Sequence, residues 1–134
     1  MRNVDLALVI CNPGENRAKV VAMLRRCGVS PVCCSNFAEA RRLLCQVEFR
    51  LILCRDTLSD GDFRTVLKKV NQTAVHVPVI VLSHLTDWDS YLKALGAGAF
   101  DYIPCPPDPA ETKRIIWSAL ADTARLEETT HAVA

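Results

Sequence analysis

Short apolar runs alternate along this chain with segments in which apolar residues recur every three to four positions. The longest runs, Leu6–Cys11, Leu51–Cys54 and Val77–Leu82, have the length of β-strands. Leu51–Cys54 is apolar at every position, which is typical of a parallel strand covered on both faces. Two shorter runs, 32–34 and 100–103, have a similar character, so the pattern predicts five strands.

Each predicted strand is followed by a segment with helical periodicity, and three of these segments begin with a recognisable cap. Asn12, Asn36 and Asp108 each precede a glutamate by three residues, which is the spacing of a capping box. The apolar stripe over 63–70 predicts a third helix, and a fourth is predicted from residue 86 or 87 to residue 96. The pattern therefore predicts five helices.

Strict alternation of strands and helices predicts an α/β fold, with a parallel sheet, right-handed crossovers and helices on both faces. The apolar periodicity is lost after about Arg125. We therefore expect one domain over residues 1–125 and a frayed C-terminal tail over residues 126–134. In such a sheet the functional crevice lies beyond the carboxyl ends of the strands.

Composition narrows the classes of function. The 134 residues carry 16 Lys+Arg against 15 Asp+Glu, and the net charge of +1 gives no long-range attraction to nucleic acid or to an anionic membrane. No apolar stretch approaches the roughly 20 residues that span a bilayer, and the N-terminal run is not a signal peptide. The seven cysteines are odd in number and lack a C-x-x-C pair, which favours reduced thiols in a cytoplasmic protein.

Three motifs resemble the receiver domain of bacterial two-component response regulators, over residues 4 to about 122. They are the loop Leu58–Gly61, the strand Val79–Ser83 with its final hydroxyl residue, and the segment Ala94–Pro106, which is similar to a family stretch that ends in lysine and proline. The resemblance implies a flavodoxin-like, doubly wound, five-stranded sheet of order 2-1-3-4-5. It also implies a module of phosphorelay signalling, not an enzyme.

The resemblance fails at the residues that carry the family's chemistry. Family receivers hold Mg²⁺ with an acidic pair after the first strand, accept a phosphoryl group on an aspartate at the third strand, and hold that group with a Ser/Thr and a Lys. Here Cys11 and Asn12 replace the acidic pair, Arg55 replaces the acceptor, Cys105 replaces the lysine, and Ser83 keeps its hydroxyl. A thiol and a carboxamide are poor substitutes for the hard oxygen ligands of Mg²⁺, and a guanidinium is not a nucleophile. We therefore expect no metal, no cofactor and no conventional aspartyl phosphorylation.

Three alternatives stay open at this pocket. Asp56 is a substitute acceptor, although strand alternation points it away from the face that Arg55 shares with the buried leucines of its strand. Cys11 and Cys105 should lie near each other across the pocket mouth, where they form a thiol-redox or soft-metal sensor or simply fill space as small apolar residues. Arg55 either pairs with a carboxylate such as Asp56 or Asp60, or binds an anion.

The remaining candidates lie on an expected interaction surface. Four of the eight aromatic residues fall in the fourth helix, the fifth strand and the fifth helix, where the family forms homodimers and docks outputs: Trp88, Tyr91, Tyr102 and Trp117. Tyr102 matches the family's aromatic switch position, and His84 directly follows the pocket serine. These aromatic residues either anchor an interface or complete the helix packing. The resemblance implies a protein partner, namely a kinase, an output domain, another receiver or a second copy of this chain, and neither nucleic acid nor membrane.

Overall fold

The computed structural model describes residues 5–73 and 76–133, with side chains described up to residue 122. The strands of this part of the chain are β1 (Leu6–Ile10), β2 (Ser30–Cys34), β3 (Leu51–Arg55), β4 (Thr57–Leu58), β5 (Gly61–Asp62), β6 (Val79–Ser83) and β7 (Asp101–Pro104). The helices are α1 (Glu15–Arg26), α2 (Phe37–Gln46), α3 (Phe63–Asn71), α4 (Trp88–Gly96) and α5 (Pro109–Val133).

Five of these strands form one parallel sheet in the order β2-β1-β3-β6-β7. The two short strands β4 and β5 form a separate antiparallel hairpin directly after β3. With this hairpin set aside, the order is the predicted 2-1-3-4-5, and the predicted α/β fold is confirmed. The register places Ile10 opposite Cys34 and Cys54, and Arg55 opposite Leu82, so neighbouring strands end at a common edge.

Helices cover both faces of the sheet, because the side chains of each strand alternate between two cores. On one face, α1 and α5 pack over strand residues such as Val9, Leu53 and Ile103. On the other face, α2, α3 and α4 pack over the intervening residues, such as Ile52 and Val81. The sheet therefore holds the ends of its strands rigidly between two packed layers.

Three helices begin at the residues that the sequence predicted. The side chain of Asn36 accepts a hydrogen bond from the backbone N–H of Glu39, and that of Asp108 accepts one from the N–H of Glu111. The Asp87 side chain caps α4 in the same way. Each cap gives an otherwise unpaired amide of the first turn a partner.

The prediction for the start of α1 was wrong. The helix begins at Glu15, its N-cap is Gly14, and no side chain caps it. Asn12 lies two residues before the N-cap and therefore too far from the first helical amides. The residues Asn12 and Pro13 belong to the exposed loop between β1 and α1.

α5 extends beyond the point where the sequence pattern ends. Its backbone is helical from Pro109 to Val133, and the frayed tail expected over 126–134 stays a prediction. The apolar stripe fades after Leu120, but no glycine or proline follows to stop the helix. The boundary of the domain at residue 125 stays a prediction. None of the described helices has both the length and the apolar character needed to cross a membrane.

Candidate functional site

The strand ends bring together five of the six residues predicted for the pocket, and the sixth, Asn12, lies exposed in the loop directly after Cys11. The sheet itself fixes this edge, since the backbone N–H of Asp56 donates to the carbonyl of Leu82 at 2.9 Å and that of Cys105 donates to the carbonyl of Ser83 at 2.7 Å. We call the cluster the strand-end pocket: Cys11, Asn12, Arg55, Asp56, Ser83 and Cys105. Its two thiols and the serine are buried, Arg55 and Asp56 are partly exposed, and the asparagine is exposed.

Asp56 is the centre of the pocket's polar network. Its Oδ2 accepts a hydrogen bond from the Ser83 hydroxyl at 2.7 Å, and its Oδ1 accepts one from the backbone N–H of Thr57 at 2.9 Å. As strand alternation predicts, Asp56 lies beside Ser83 and off the face that Arg55 shares with the buried leucines of its strand. Because Arg55 pairs with Leu82 in the register, the next residues, Asp56 and Ser83, also stand side by side.

Arg55 carries a positive charge that the pocket only partly compensates. Its Nε lies 3.8 Å from Asp56 Oδ1, which is close enough for an ion pair and too far for a hydrogen bond. The same Nε is buried and has no hydrogen-bond partner among the described residues. The expected pairing of Arg55 with Asp56 is therefore present as a charge contact without a hydrogen bond.

Asp60, the other carboxylate considered for Arg55, has a different role. Its Oδ1 accepts a hydrogen bond from the N–H of Phe37 at 2.7 Å, and its Oδ2 accepts one from the N–H of Ala38 at 3.0 Å. The hydrogen bond from Phe37 is the main cause of a lowered pKa at Asp60. The turn of the β4–β5 hairpin is thereby tied to the first turn of α2.

The two pocket thiols are protonated at neutral pH. Burial raises the pKa of both Cys11 and Cys105, while the Arg55 guanidinium opposes this rise at each of them. Cys11 is near enough to Cys105 to raise its pKa further, as expected for thiols on opposite sides of one pocket. All seven cysteines, each within the described part of the chain, are free.

Hydrogen bonds connect the pocket with the loop before α4, and ring contacts continue from there to α4 itself. The Ser83 Oγ accepts a hydrogen bond from the N–H of Leu85 at 3.0 Å, and the buried Tyr102 donates its hydroxyl to the carbonyl of Leu85 at 2.5 Å. The Tyr102 ring meets Tyr91 edge-on at a centroid distance of 6.0 Å, and Tyr91 lies 5.2 Å from the ring of Trp88. Leu85, in the segment after β6, is therefore hydrogen-bonded both to Ser83 of the pocket and to Tyr102 of β7.

One side of the domain concentrates exposed apolar side chains. Four large ones are exposed in the described part of the chain, and all lie between residues 85 and 117: Leu85, Trp88, Leu92 and Trp117. Trp88 is 70% exposed and Trp117 is 56% exposed, whereas Tyr91 is half-buried and Tyr102 is buried. We call this surface the α4–β7–α5 face. Of the four predicted aromatic residues, Tyr91 and Tyr102 thus complete the packing, whereas Trp88 and Trp117 face outward.

Sequence reasoning missed two residues of α1 that border the pocket. The Asn16 Nδ2 lies 3.4 Å from Nε2 of the exposed His84, and this contact joins the first turn of α1 to the loop after β6. Arg17 is close enough to Cys11 to oppose the rise in its pKa. Both residues follow the loop after β1, so their place directly after a strand end was the available signal.

The comparisons with known proteins point in one direction. No protein-family model matches the chain. The response regulator PilR of Pseudomonas aeruginosa is 28% identical over 114 residues, which are 85% of this chain and 26% of PilR. A two-component response regulator from Clostridium difficile superposes with a TM-score of 0.76 at 26% identity, covering 87% of this chain and 96% of that one. In both sequence and fold, the chain is similar to response-regulator receiver domains.

A further receiver domain, from a sensor histidine kinase of Pseudomonas aeruginosa, was solved with a magnesium ion coordinated in its active-site cleft. It superposes with a TM-score of 0.77 at 22% identity, covering 89% of this chain and 99% of that one. These solved structures are matched over nearly their whole length, whereas the chain spans about a quarter of PilR.

The strand-end pocket does not fit Mg²⁺. Both oxygens of its carboxylate, Asp56, already accept hydrogen bonds, and the Arg55 guanidinium stands beside them. The positions after β1 offer a protonated thiol and a carboxamide, at Cys11 and Asn12, where Mg²⁺ prefers charged oxygen ligands. Within the described residues, no group of three or more His, Cys, Asp or Glu side chains is arranged to hold a metal ion.

Proposed function

We propose that this chain is an atypical receiver module of two-component signalling, which acts through protein contacts and without conventional Mg²⁺-dependent phosphorylation. The observation that carries the proposal is Arg55, whose guanidinium occupies the position that the resemblance assigns to the acceptor and lies 3.8 Å from Asp56. Phosphoryl transfer depends on cations that neutralise the transferred group and on a free carboxylate to receive it. Here the cation is fixed in the protein and the carboxylate is already hydrogen-bonded.

The polar network supports a fixed state of the signalling surface. In the described pocket, Ser83 is already bound to a carboxylate, and Tyr102 is already buried with its hydroxyl bonded to Leu85. These contacts hold the segment after β6, and through Tyr91 the start of α4, without any phosphoryl group. We infer that the contact surface stays in one arrangement, in keeping with a cytoplasmic partner that recognises it constitutively.

The α4–β7–α5 face is the proposed contact surface. Trp88 and Trp117 are its two most exposed large apolar side chains, and tryptophan contributes strongly to the binding energy of protein interfaces. The proposed partner is a second copy of the chain, a kinase, an output domain or another receiver. PilR, of which this chain matches about a quarter, illustrates a receiver-like segment within a longer response regulator.

A specific contact favours a second candidate, in which Asp56 accepts a phosphoryl group. Asp56 lies 2.7 Å from the Ser83 hydroxyl, and a Ser/Thr hydroxyl holds the phosphoryl oxygens in the family that the sequence resembles. Intact-mass measurement after incubation with Mg²⁺ and acetyl phosphate separates the two candidates. We expect no phosphoryl adduct on the wild type, with a receiver of intact acidic pocket as the positive control. An adduct that disappears in Asp56→Asn contradicts the proposal and establishes the second candidate.

The contact surface has its own test. Size-exclusion chromatography with light scattering measures self-association, and co-purification with candidate kinases or receivers measures the other contacts. Trp88→Ala and Trp117→Ala should each weaken the contact about tenfold or more, as truncation of an interface tryptophan does. Arg42→Ala, at an exposed position of α2, is the control. Tryptophan variants that behave like this control in every assay would remove the α4–β7–α5 face from the proposal.

A further inference from the structure

The helix α4 carries an apolar stripe that the core of the domain does not use. Trp88, Tyr91, Leu92 and Leu95 recur at i, i+3, i+4 and i+7, which is the spacing of one helix face. Such a face normally packs inward, but the buried residue of α4 is Ala94. Trp88 is 70% exposed and Leu92 is 46% exposed, whereas Tyr91 and Leu95 are half-buried. We call these four residues the α4 stripe.

Ring contacts and a hydrogen bond hold the α4 stripe against β7. The Tyr91 ring lies 5.2 Å from the ring of Trp88 and meets the ring of Tyr102 edge-on at 6.0 Å. Tyr102 is buried, and its hydroxyl donates to the carbonyl of Leu85, which is itself an exposed apolar residue three positions before Trp88. An apolar surface that is already ordered loses little conformational freedom when a partner covers it, and this favours binding.

The charges of the described chain are unevenly divided, and the α4 stripe lies in the acidic part. Residues 76–122 contain six Asp and Glu against three Lys and Arg, whereas residues 5–73 contain seven Asp and Glu against eleven Lys and Arg. Two of the six, Asp87 and Asp89, directly precede and follow Trp88, and both are exposed. The most exposed apolar side chain of the stripe therefore lies between two carboxylates.

Hydrogen bonds keep one of these carboxylates ionised, and the basic residues nearby do not offset the acidic end of the stripe. The Ser90 hydroxyl and backbone N–H both donate to the Asp87 carboxylate, and these bonds lower the pKa of Asp87. Lys93 is the basic residue of α4, and it lies in the last turn. On α5, the guanidinium of Arg114 is already paired with Glu111. The first turn of α4 is therefore the acidic end of the stripe.

We propose that the α4 stripe binds an amphipathic helix of a partner protein, whose apolar face covers Trp88 and Leu92 and whose flanking residues are Lys or Arg. The stripe is about 10 Å long, which is two helical turns, and a partner helix presents apolar residues at the same spacing. A second copy of this chain, placed symmetrically on the same surface, would bring like charges together at a cost in free energy.

This inference rests on the proposed function, since it requires that the α4–β7–α5 face is the contact surface. It goes beyond that function because it commits to the chemistry of the partner, namely apolar and cationic, where the proposed function leaves several partners open.

Two synthetic helical peptides, each about 14 residues or four turns long, are the probes. They share one pattern of leucines and differ in the flanking residues, which are lysine in one peptide and glutamate in the other. Each is titrated into the full chain and followed by NMR of the backbone amides and of the two tryptophan indoles. We expect saturable shifts along α4 and at the Trp88 indole with the lysine peptide, and a dissociation constant on the order of 100 μM. The glutamate peptide should bind at least about tenfold more weakly.

Substitutions separate the acidic contribution from the apolar one. Asp89→Asn should weaken binding of the lysine peptide by about threefold, and the addition of Asp87→Asn, which keeps a capping side chain, by about fivefold or more in total. Leu92→Ala should weaken it by about fivefold, through the loss of apolar area. Glu48→Gln is the matched control, because it removes the same charge from an exposed position before β3 and should leave the affinity unchanged. The amide spectrum of each variant shows whether it is folded.

Three results overturn this inference. They are equal binding of the two peptides, aspartate variants that match Glu48→Gln, and self-association in light scattering that Trp88→Ala abolishes, because a second copy would then cover the stripe. None of the three refutes the proposed function, which requires a protein contact of any chemistry. The proposed function fails instead by a phosphoryl adduct on Asp56, and that adduct leaves the comparison of the two peptides unaffected.

Discussion

Replacing Ser83 by alanine tests the network that joins the pocket to α4. Ser83 is fully buried, and its hydroxyl both donates to Asp56 and accepts from Leu85. A hydrogen bond to a charged group contributes about 1.5–3 kcal/mol to stability. The Asp56 side chain is 20% exposed, so water replaces part of the lost bond, and the lower end of this range applies. We expect Ser83→Ala to reduce the free energy of unfolding by about 1.5 kcal/mol.

Urea and thermal unfolding measure this loss. For a domain of this size, about 1.5 kcal/mol corresponds to a fall in melting temperature of about 6 °C. The matched control is Ser59→Ala, at an exposed position in the turn of the β4–β5 hairpin, which should change stability by less than about 0.5 kcal/mol. A double-mutant cycle with Asp56→Ala isolates the contact and should give a coupling energy of about 1.5 kcal/mol. A coupling energy near zero would refute the network.

Three further results follow from the structure. Asp60→Asn should lower the melting temperature at neutral pH, because the pKa of Asp60 is lowered in the folded state. The stability difference between wild type and variant should be full above the ordinary pKa of 3.8 and should disappear as the pH falls through the lower folded-state pKa. A difference that does not depend on pH would contradict this. Cys45 is exposed, whereas Cys11 and Cys105 are buried and have raised pKa values. Iodoacetamide should therefore label Cys45 at least about tenfold faster than either pocket thiol. Rapid labelling of Cys11 and Cys105 would instead favour the thiol-redox alternative. Thr112→Val should raise the free energy of unfolding by about 1 kcal/mol, because the buried hydroxyl has no hydrogen-bond partner in the described part of the chain. Urea unfolding measures this change, and a less stable variant would contradict the prediction.

Local signals in the sequence were sufficient for most of the fold. The apolar runs and helical stripes placed all strands of the main sheet and all five helices, because burial on two faces leaves a distinct pattern in strands and helices. Caps at Asn36 and Asp108 were visible because a side chain and the amide that it caps are near in sequence. For α4 only the start at residue 86 or 87 was predicted, and the structure shows that Asp87 is its cap. The same signal gave a wrong helix start at Asn12, because a loop of similar composition precedes a helix that no described side chain caps. The β4–β5 hairpin has two residues in each strand and was too short to leave a pattern.

The residues of the candidate pocket could be proposed from the sequence, whereas their contacts could not. Its residues follow strand ends, which the alternation of elements locates. The contact between Asp56 and Ser83 depends on the register of β3 against β6, and residues 27 positions apart give no local indication of it. The unpartnered Nε of Arg55 also depends on three-dimensional packing, since a strand-end arginine is otherwise expected to find a carboxylate or water.

The strand-end pocket is divided between the two faces of the sheet. Arg55 continues the alternation of Leu51 and Leu53, whose core is the one that contains both pocket thiols. Asp56 and Ser83 form the other half, which connects through Leu85 to the buried tyrosine hydroxyl. A phosphoryl group on Asp56 has to displace the hydrogen bond from Ser83. Phosphorylation of Asp56 would therefore disturb the α4–β7–α5 face, whereas the unmodified pocket keeps this face in one arrangement.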